Sequence, residues 1–363
     1  MRKRSFLLIA GACLASLSLA VGSALADPSG PPTFRDLAGE GSDTTQGVMN
    51  ALSNVVQIGG TLRIGSYDAA TAPGQTISTK STPACTNIPR QSGSNNGINA
   101  LRDDRNAGTH CLQFARSSTD NHTSHNGDHL TYIPFATDAV TYAIRGAGAT
   151  PAGSSINRNL PLATLKTIFT QAPGPCLAAF EPLLPQFGSG TRKFFLENVL
   201  GLGSGADVQN FAGPGSLHPC VKDTDGIGNP LLENTGNLLA NDKQIEPYSV
   251  SSWIAQTTKN VADVHGLALL GNIDGIPALA INTTAAGTTR PVFNVVPNVL
   301  VNGPSNSRTV FVDTDPDPAV NTSLVCQNSA AILKQGFVTR SDCGDTTIKS
   351  DPNLGTDTVG AGE

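Results

Sequence analysis

The feature that most constrains the fold is an alternation of short helical and extended patterns along most of the chain. Apolar residues recur at helical spacing over residues 48–56, whereas Val140, Tyr142 and Ile144 alternate with smaller or polar neighbours as in a strand. Helices that alternate with strands build open sheets covered by helices, so the predicted class is α/β. Ligands of such sheets bind at the carboxyl ends of strands, close to the helices that follow.

Five helices and five strands are predicted from these patterns. Helices are predicted at residues 48–56, 96–105, 161–169 with Asn159 as N-cap, 191–200 and 249–261. Strands are predicted at residues 62–64, 112–115, 130–135, 139–144 and 264–270.

The amino-terminal residues have the pattern of an export signal. Basic residues at 2–4 precede an apolar stretch over 6–21, and residues 24–26 (Ala-Leu-Ala) form a small-x-small cleavage site. A membrane anchor and a lipid anchor on Cys13 are the alternatives. The apolar run is short for an anchor, and Cys13 lacks the leucine usual at the start of a lipobox. We therefore expect a signal peptide at 1–26 and a protein secreted to the extracellular or cell-envelope side.

The net charge of the exported chain limits the kinds of ligand that it is expected to bind. The leader holds three of the 23 basic residues and none of the 28 acidic ones, so the remainder has a net charge of −8. Nucleic acid is therefore not an expected partner, because its backbone requires concentrated Lys and Arg. A small anion remains possible, since backbone N–H groups and one or two cations suffice to bind it.

Six cysteines remain after the leader is removed, and an even number in an exported chain indicates disulfide bonds. Fifteen pairings are possible in principle. The sequential set is the preferred prediction because each bond closes a loop within one region of the chain: Cys85–Cys111, Cys176–Cys220 and Cys326–Cys343.

Three loops share one design, with small residues and hydroxyl groups just before a predicted helix. They span residues 39–45, 92–97 and 188–191, and each offers unpaired backbone N–H groups at a helix start. One such loop is weak evidence, because Ser and Thr cap ordinary helices. Three of them together could supply the converging donors that a dehydrated oxyanion needs.

These loops, taken in order, resemble a known family. The segments 39–44, 92–97, 114–118, 188–191 and 245–250 resemble the ligand loops, strand end and hinge region of the phosphate-type (PstS-like) periplasmic substrate-binding proteins. The resemblance covers roughly residues 35–344. It implies a two-lobed type II periplasmic-binding-protein-like α/β fold with open mixed sheets and a hinge.

The resemblance also implies a domain arrangement and a ligand site. Lobe 1 is predicted at 27–135 plus 262–346, lobe 2 at 136–261, and a flexible tail at 347–363. The ligand-binding residues are predicted as Ser42, Asp43, Thr44, Ser94, Asn95, Arg116, Ser118, Ser189, Gly190, Thr191 and Arg192. Two positions depart from the family: its Arg before the 188–191 loop is replaced by Leu184-Pro185-Gln186-Phe187, and its strand-end Asp by Ser118. Arg116, Arg192 or Arg90 is the candidate replacement for the missing cation.

The sequence supports a metal site or a catalytic function less well than it supports a ligand-binding function. The histidines at 110, 122, 125 and 129 could surround zinc, but their segment reads as a polar loop. The acidic stretches at 223–229 and 313–317 lack the closing Glu of a calcium loop. There is no G-x-S-x-G motif, and no pair of carboxylates stands out for glycoside hydrolysis. We therefore expect no metal, no cofactor and no catalytic residue.

The predicted function is an exported monomeric solute-binding protein that captures phosphate or a related oxyanion for an ABC-type importer. A cell-surface binding or adhesion module for a sugar or surface polymer is the alternative, and a secreted hydrolase is the third possibility.

Overall fold

The computed structural model describes residues 27–28, 30–147, 153–279, 288–317 and 319–351. The predicted signal peptide and residues 352–363 of the predicted tail lie outside this part of the chain. Residues 347–351, predicted as flexible, instead lie against the sheet, where the Tyr132 N–H donates to the Ile348 carbonyl at 2.9 Å and Ser350 is buried. Within the described residues, no helix has the length and apolarity needed to span a membrane.

Most strands are short, and one is long. In chain order they are β1 (Leu37–Gly41), β2 (Gln57–Ile58), β3 (Thr61–Leu62), β4 (Ile64–Ser66), β5 (Thr76–Ile77), β6 (Ile88–Pro89), β7 (Phe114–Ser117), β8 (Leu130–Arg145), β9 (Asn159–Leu160), β10 (Glu181–Pro182), β11 (Gln244–Ser249), β12 (Ala268–Leu270), β13 (Asn272–Ile273) and β14 (Thr289–Pro297).

The helices are also short. They are α1 (Gln46–Ser53), α2 (Ser94–Asn106), α3 (Leu162–Phe169), α4 (Gly190–Phe194), α5 (Val250–Thr257), α6 (Asn298–Asn302), α7 (Asn306–Phe311), α8 (Leu324–Gln327) and α9 (Ser329–Lys334). A π-helical turn, Phe195–Val199, continues α4, and 3₁₀ turns lie at Pro83–Cys85, His122–His125 and Gly236–Leu238.

One mixed sheet of eight strands organises the molecule, in the order β10-β11-β8-β14-β7-β1-β4, with β12 also paired to β8. Strand β1 is parallel to both β4 and β7, whereas β14 is antiparallel to β7 and to β8. The sheet is open, so the predicted α/β class with open mixed sheets is confirmed.

Strand β8 belongs to two parts of this sheet. Its residues 130–139 pair with β14, and its residues 140–145 pair with β11 and β12. We call the strands β4, β1, β7 and β14 with residues 130–139 the first half, and β10, β11 and β12 with residues 140–145 the second half. A register shift opposite Val292 and Phe293 lies near the middle of this long strand. Two separate strands, at residues 130–135 and 139–144, were predicted for this segment, and the structure joins them into one.

Each half has its own core. In the first half, Leu37, Phe114 and Phe311 pack on one face of the sheet, and Ile98 and Tyr132 pack on the other. In the second half, one face carries a cluster of apolar residues that includes Leu165, Phe169, Phe195 and Ile245, and the other carries a cluster around Tyr248 and Val250. The long strand β8 is therefore buried along almost its whole length.

Two boundaries differ from the prediction. Strands β12 and β13 pair with β8 and β9 in the second half, so the chain returns to the first half only with β14 rather than at residue 262. Asn159 lies in β9 rather than at a helix cap, and α3 begins after Pro161. The predicted disulfides Cys85–Cys111, Cys176–Cys220 and Cys326–Cys343 are confirmed.

Candidate functional site

The site begins where two parallel strands of the first half end side by side. Ser42 follows β1 and Ser118 follows β7, and their hydroxyl oxygens are 3.0 Å apart. The approach is close because Gly41 has a positive φ of 128° and a Cβ there would lie 2.6 Å from the Arg116 carbonyl oxygen. The Ser42 N–H donates to that same carbonyl at 3.1 Å. The carboxyl edge of the sheet therefore presents two buried hydroxyls together, as expected for an α/β ligand site.

The loops before α2 and α4 close over this edge. Ser94 Oγ accepts a hydrogen bond from the Ser118 N–H at 3.0 Å and lies 3.3 Å from Ser118 Oγ. A Cβ on Gly190 would come within 2.4 Å of both the Ser94 and Ser118 hydroxyls. Glycine at this position allows the second half of the molecule to lie directly against the first.

A carboxylate that the sequence gave no reason to single out lies at the centre. Glu233 is 3% exposed, and its Oε2 accepts from Ser189 Oγ at 2.5 Å and from the Thr191 N–H at 3.0 Å. Its Oε1 lies 3.2 Å from Ser42 Oγ. Donors from both halves of the molecule therefore converge on one carboxylate.

The next residue ties the two halves together. The Asn234 amide Nδ2 donates to Asp43 Oδ1 at 3.0 Å and to Thr44 Oγ1 at 2.9 Å. Thr44 Oγ1 also lies 3.1 Å from Thr191 Oγ1. Asn234 belongs to the loop before the 3₁₀ turn of the second half, so these contacts cross between the halves.

The cation of the cluster is Arg290 of β14. Its Nη2 donates to Thr191 Oγ1 at 3.0 Å, and its Nε and Nη2 donate to Asp138 Oδ2 at 3.1 and 2.9 Å. Asp138 in turn accepts from Ser249 Oγ at 2.9 Å and from the Ser251 N–H at 3.1 Å. Arg290 is 1% exposed and Asp138 is fully buried, so this ion pair is held in a low-dielectric interior.

The pKa values of two neighbouring acids in the cluster shift in opposite directions. Burial raises the pKa of Asp43 well above its usual range, and the charge of Glu233 raises that pKa further. Burial alone would also raise the pKa of Glu233, but hydrogen bonds from Asp43 and Ser189, with the charge of Arg290, lower that pKa overall. These opposite shifts favour a protonated Asp43 beside an ionised Glu233.

Most of the residues predicted from the sequence come together here. Those within the cluster are Ser42, Asp43, Thr44, Ser94, Ser118, Ser189, Gly190 and Thr191. Asn95 lies at the edge: its N–H donates to the Gly188 carbonyl, and its side chain contacts His125.

The structure places the predicted arginines outside the cluster. Arg116 lies behind the 42–44 loop, where it donates to the carbonyls of Ser42 and Tyr67 and therefore supports the loop. Arg192 points into its own half, towards Asp207 and Asp223. Arg90 pairs with Asp27 instead. The position of a cation was thus predicted from the wrong segments, because Arg290 comes close only through the pairing of β14 with β8.

Glu233, Asn234, Asp138 and Arg290 have no local sequence signal that marks them as site residues. They lie in separate segments of the chain, and only the fold brings them together. The histidines of the 122–129 segment have nearby polar partners, such as Asp128 for His125 Nδ1 at 2.7 Å. In the described part of the chain, no group of His, Cys, Asp and Glu is arranged to hold a metal ion.

A cavity lies between the halves, and residues next to Glu233 and Asn234 in the chain border it. It measures about 480 Å³ and is bordered by Leu231, Leu232 and Thr235 on one side and by residues 70–74 and 90–92 on the other. Its polar lining is mostly uncharged and includes Gln91, Asn96, Gln186 and Asn229.

The fold consists of two α/β halves that meet at the polar cluster. No family model matches the sequence, and no curated protein is detectably related to it. Solved structures do match. One is a protein from Clostridium perfringens named as a phosphate ABC transporter substrate-binding protein with bound phosphate, at 15% identity and a TM-score of 0.51, over 84% of this chain and 99% of that chain. Another is an ABC-type phosphate transport receptor from Vibrio cholerae, at 13% identity and a TM-score of 0.47, over 84% and 99%. The predicted resemblance in fold to phosphate-type substrate-binding proteins is thereby confirmed.

Proposed function

We propose that this protein is a solute-binding protein that captures a small oxyanion, with phosphate as the expected ligand, in the cluster around Ser42, Ser189 and Thr191. The observation that carries the proposal is the convergence of these donors on the carboxylate of Glu233. A carboxylate is itself an oxyanion, so the donors already have the arrangement that such a ligand requires.

The charges of the cluster also suit a small anion. Arg290 supplies a cation that contacts Thr191, and the protonated Asp43 supplies a further hydrogen-bond donor. Phosphate offers several oxygens to such donors and would bridge both halves. A ligand that touches both halves binds the closed state best and so favours closure. The name of the similar Clostridium perfringens structure, a phosphate ABC transporter substrate-binding protein, supports delivery of the ligand to an ABC importer.

Calorimetry with phosphate, sulfate and simple sugars tests this proposal. In the double variant Ser189→Ala/Thr191→Ala, we expect phosphate affinity to fall at least about 10-fold, because the Ser189 hydroxyl donates to the oxyanion position and a hydrogen bond to a charged group contributes roughly 1.5–3 kcal/mol. The Thr191 backbone N–H remains in this variant, and the Thr191 substitution removes the hydroxyl that contacts Arg290. The matched control Ser155→Ala/Thr167→Ala removes two exposed hydroxyls of the second half and should keep wild-type affinity. Tight phosphate binding that survives the loss of Ser189 and Thr191 side chains contradicts the proposed site.

A second candidate function follows from the cavity between the halves. Its 480 Å³ would accept a small ligand, and the amide side chains that border it suit a neutral polar molecule such as a sugar. A sugar titration that releases heat while phosphate does not would favour the binding or adhesion module over the oxyanion receptor.

A further inference from the structure

The side chain of Glu233 is placed as a bound ligand would be. It accepts hydrogen bonds from Ser189 and Thr191 of the second half, and its other oxygen lies near Ser42 of the first half. We propose that Glu233 is a tethered competitor: its carboxylate occupies the oxyanion position, holds the two halves closed, and must leave before an external anion binds. This inference rests on the oxyanion-binding function proposed above.

The neighbouring residue fixes the competitor in position. The Asn234 carbonyl accepts from Tyr248 Oη at 2.7 Å and from Gln256 Nε2 at 2.9 Å, and Asn234 Oδ1 accepts from the Ser249 N–H at 2.9 Å. Asn234 also adopts a φ of 57°, a left-handed conformation that asparagine tolerates better than most residues. Because the backbone beside it is held so firmly, Glu233 reaches the donors with little loss of conformational freedom.

In this proposal the displaced side chain moves towards the cavity that its neighbours in the chain border. Leu231, Leu232 and Thr235, which flank Glu233 and Asn234, border the cavity of about 480 Å³ between the halves. Rotation of the Glu233 side chain towards that cavity would free Ser189 Oγ and the Thr191 N–H without moving the clamped Asn234. Displacement therefore requires a change in one side chain rather than unfolding of the loop.

Charge makes displacement necessary. With Glu233 ionised in the cluster, a second anion at Ser189 and Thr191 would lie beside it in a buried environment, where like charges repel strongly. An incoming singly charged anion that replaces the carboxylate leaves the charge balance around Arg290 and Asp138 unchanged. Glu233 thereby lowers apparent affinity by the fraction of molecules in which it occupies the site.

The test combines calorimetry with inorganic phosphate and small-angle X-ray scattering on the full exported chain. The variants are Glu233→Ala, Glu233→Gln, which retains the shape of the side chain, and the control Glu181→Ala, which removes a half-exposed acid of the second half. We expect wild type and the control to be closed without phosphate. Glu233→Ala should be more open, with a larger radius of gyration, and should close again on adding phosphate with at least about 10-fold higher affinity than wild type.

The outcomes separate this inference from the proposed function. Equal phosphate affinity in wild type and both Glu233 variants overturns the competitor while the oxyanion function stands. A Glu233→Ala protein as closed as wild type without phosphate also overturns it. If the variant opens but no protein binds phosphate, the oxyanion function fails, and only the role of Glu233 in holding the halves together is supported. If Glu233→Ala does not fold, Glu233→Gln provides the same comparison.

Discussion

Two buried arginines of this protein have similar surroundings but different roles. Arg192 lies 5.7 Å from the Phe187 ring and Arg290 lies 5.5 Å from the Phe194 ring, and each pairs with a buried aspartate. All hydrogen-bond partners of Arg192 belong to the second half, whereas Arg290 reaches from the first half to Thr191 of the second. Contacts that stay within one half stabilise that half, and contacts that cross the cleft can respond to a ligand.

The acids of the two regions differ in the same way. Burial raises the pKa of Asp207, and the Arg192 guanidinium beside it lowers that pKa only in part. Glu233 instead accepts from hydroxyl and amide groups, which can serve an external anion equally well. Burial is therefore not what distinguishes a structural ion pair from a ligand site, because both acids are buried. The groups that donate to each acid distinguish them.

The largest expected effect is a loss of stability when the ion pair of Arg192 is removed. Replacing Arg192 with Met leaves Asp207 buried without its cation, so the free energy of unfolding should fall by about 3–5 kcal/mol. The control Arg340→Met disrupts a surface pair with Asp342 and should cost less than about 1 kcal/mol. Urea denaturation followed by circular dichroism measures both values.

The same variant tests whether Arg192 acts as a ligand cation. At temperatures where the protein stays folded, Arg192→Met should bind phosphate as wild type does. Loss of phosphate affinity in a folded Arg192→Met protein would return Arg192 to the ligand site and contradict the assignment of that role to Arg290.

A smaller effect concerns an acid behind the cleft. Burial raises the pKa of Glu40 to about 7, partly offset by the Gln91 N–H and by the charges of Arg116 and Arg90, while Asp27 adds to the rise. Between pH 4.5 and about 7 the folded state keeps a proton that the unfolded chain has lost, so stability falls over this range and levels off above it. From pH 4 to pH 8 this group should cost about 3 kcal/mol.

Denaturant titrations across this pH range check the sign. The Gln side chain of Glu40→Gln cannot ionise. The free energy of unfolding of this variant should therefore fall less between pH 4 and pH 8 than that of the wild-type protein, by the amount that Glu40 contributes. A wild-type protein whose stability increases towards pH 8, with Glu40→Gln following the same curve, would show that Glu40 ionises freely in the folded state.

The hydroxyl residues of the site could be predicted from the sequence, but its charged residues could not. Ser42, Ser94 and Ser189 were recognisable because glycine-and-hydroxyl loops before helices have a local pattern. Glu233 and Arg290 were not, because their importance arises from contacts between segments far apart in the chain. Glu233 is 191 residues from Ser42, and only the antiparallel pairing of β14 with β8 brings Arg290 to Thr191.

The fold, too, could be predicted only where it depends on local sequence patterns. Alternating helices and strands identified the α/β class, and sequential pairing of neighbouring cysteines identified the disulfides. Both depend on local pattern or on proximity in the sequence. The continuity of β8 through both halves, and the membership of β12 in the second half, depend on strand pairing at long range. No periodicity within residues 130–145 or 268–270 contains that information.

A crystal structure of the wild-type protein grown with phosphate tests the central claim most directly. The account predicts one phosphate within hydrogen-bonding distance of Ser189 Oγ and the Thr191 N–H, with the Glu233 carboxylate turned away towards the cavity between the halves. A phosphate bound elsewhere, while Glu233 still accepts from Ser189 and Thr191, would contradict it.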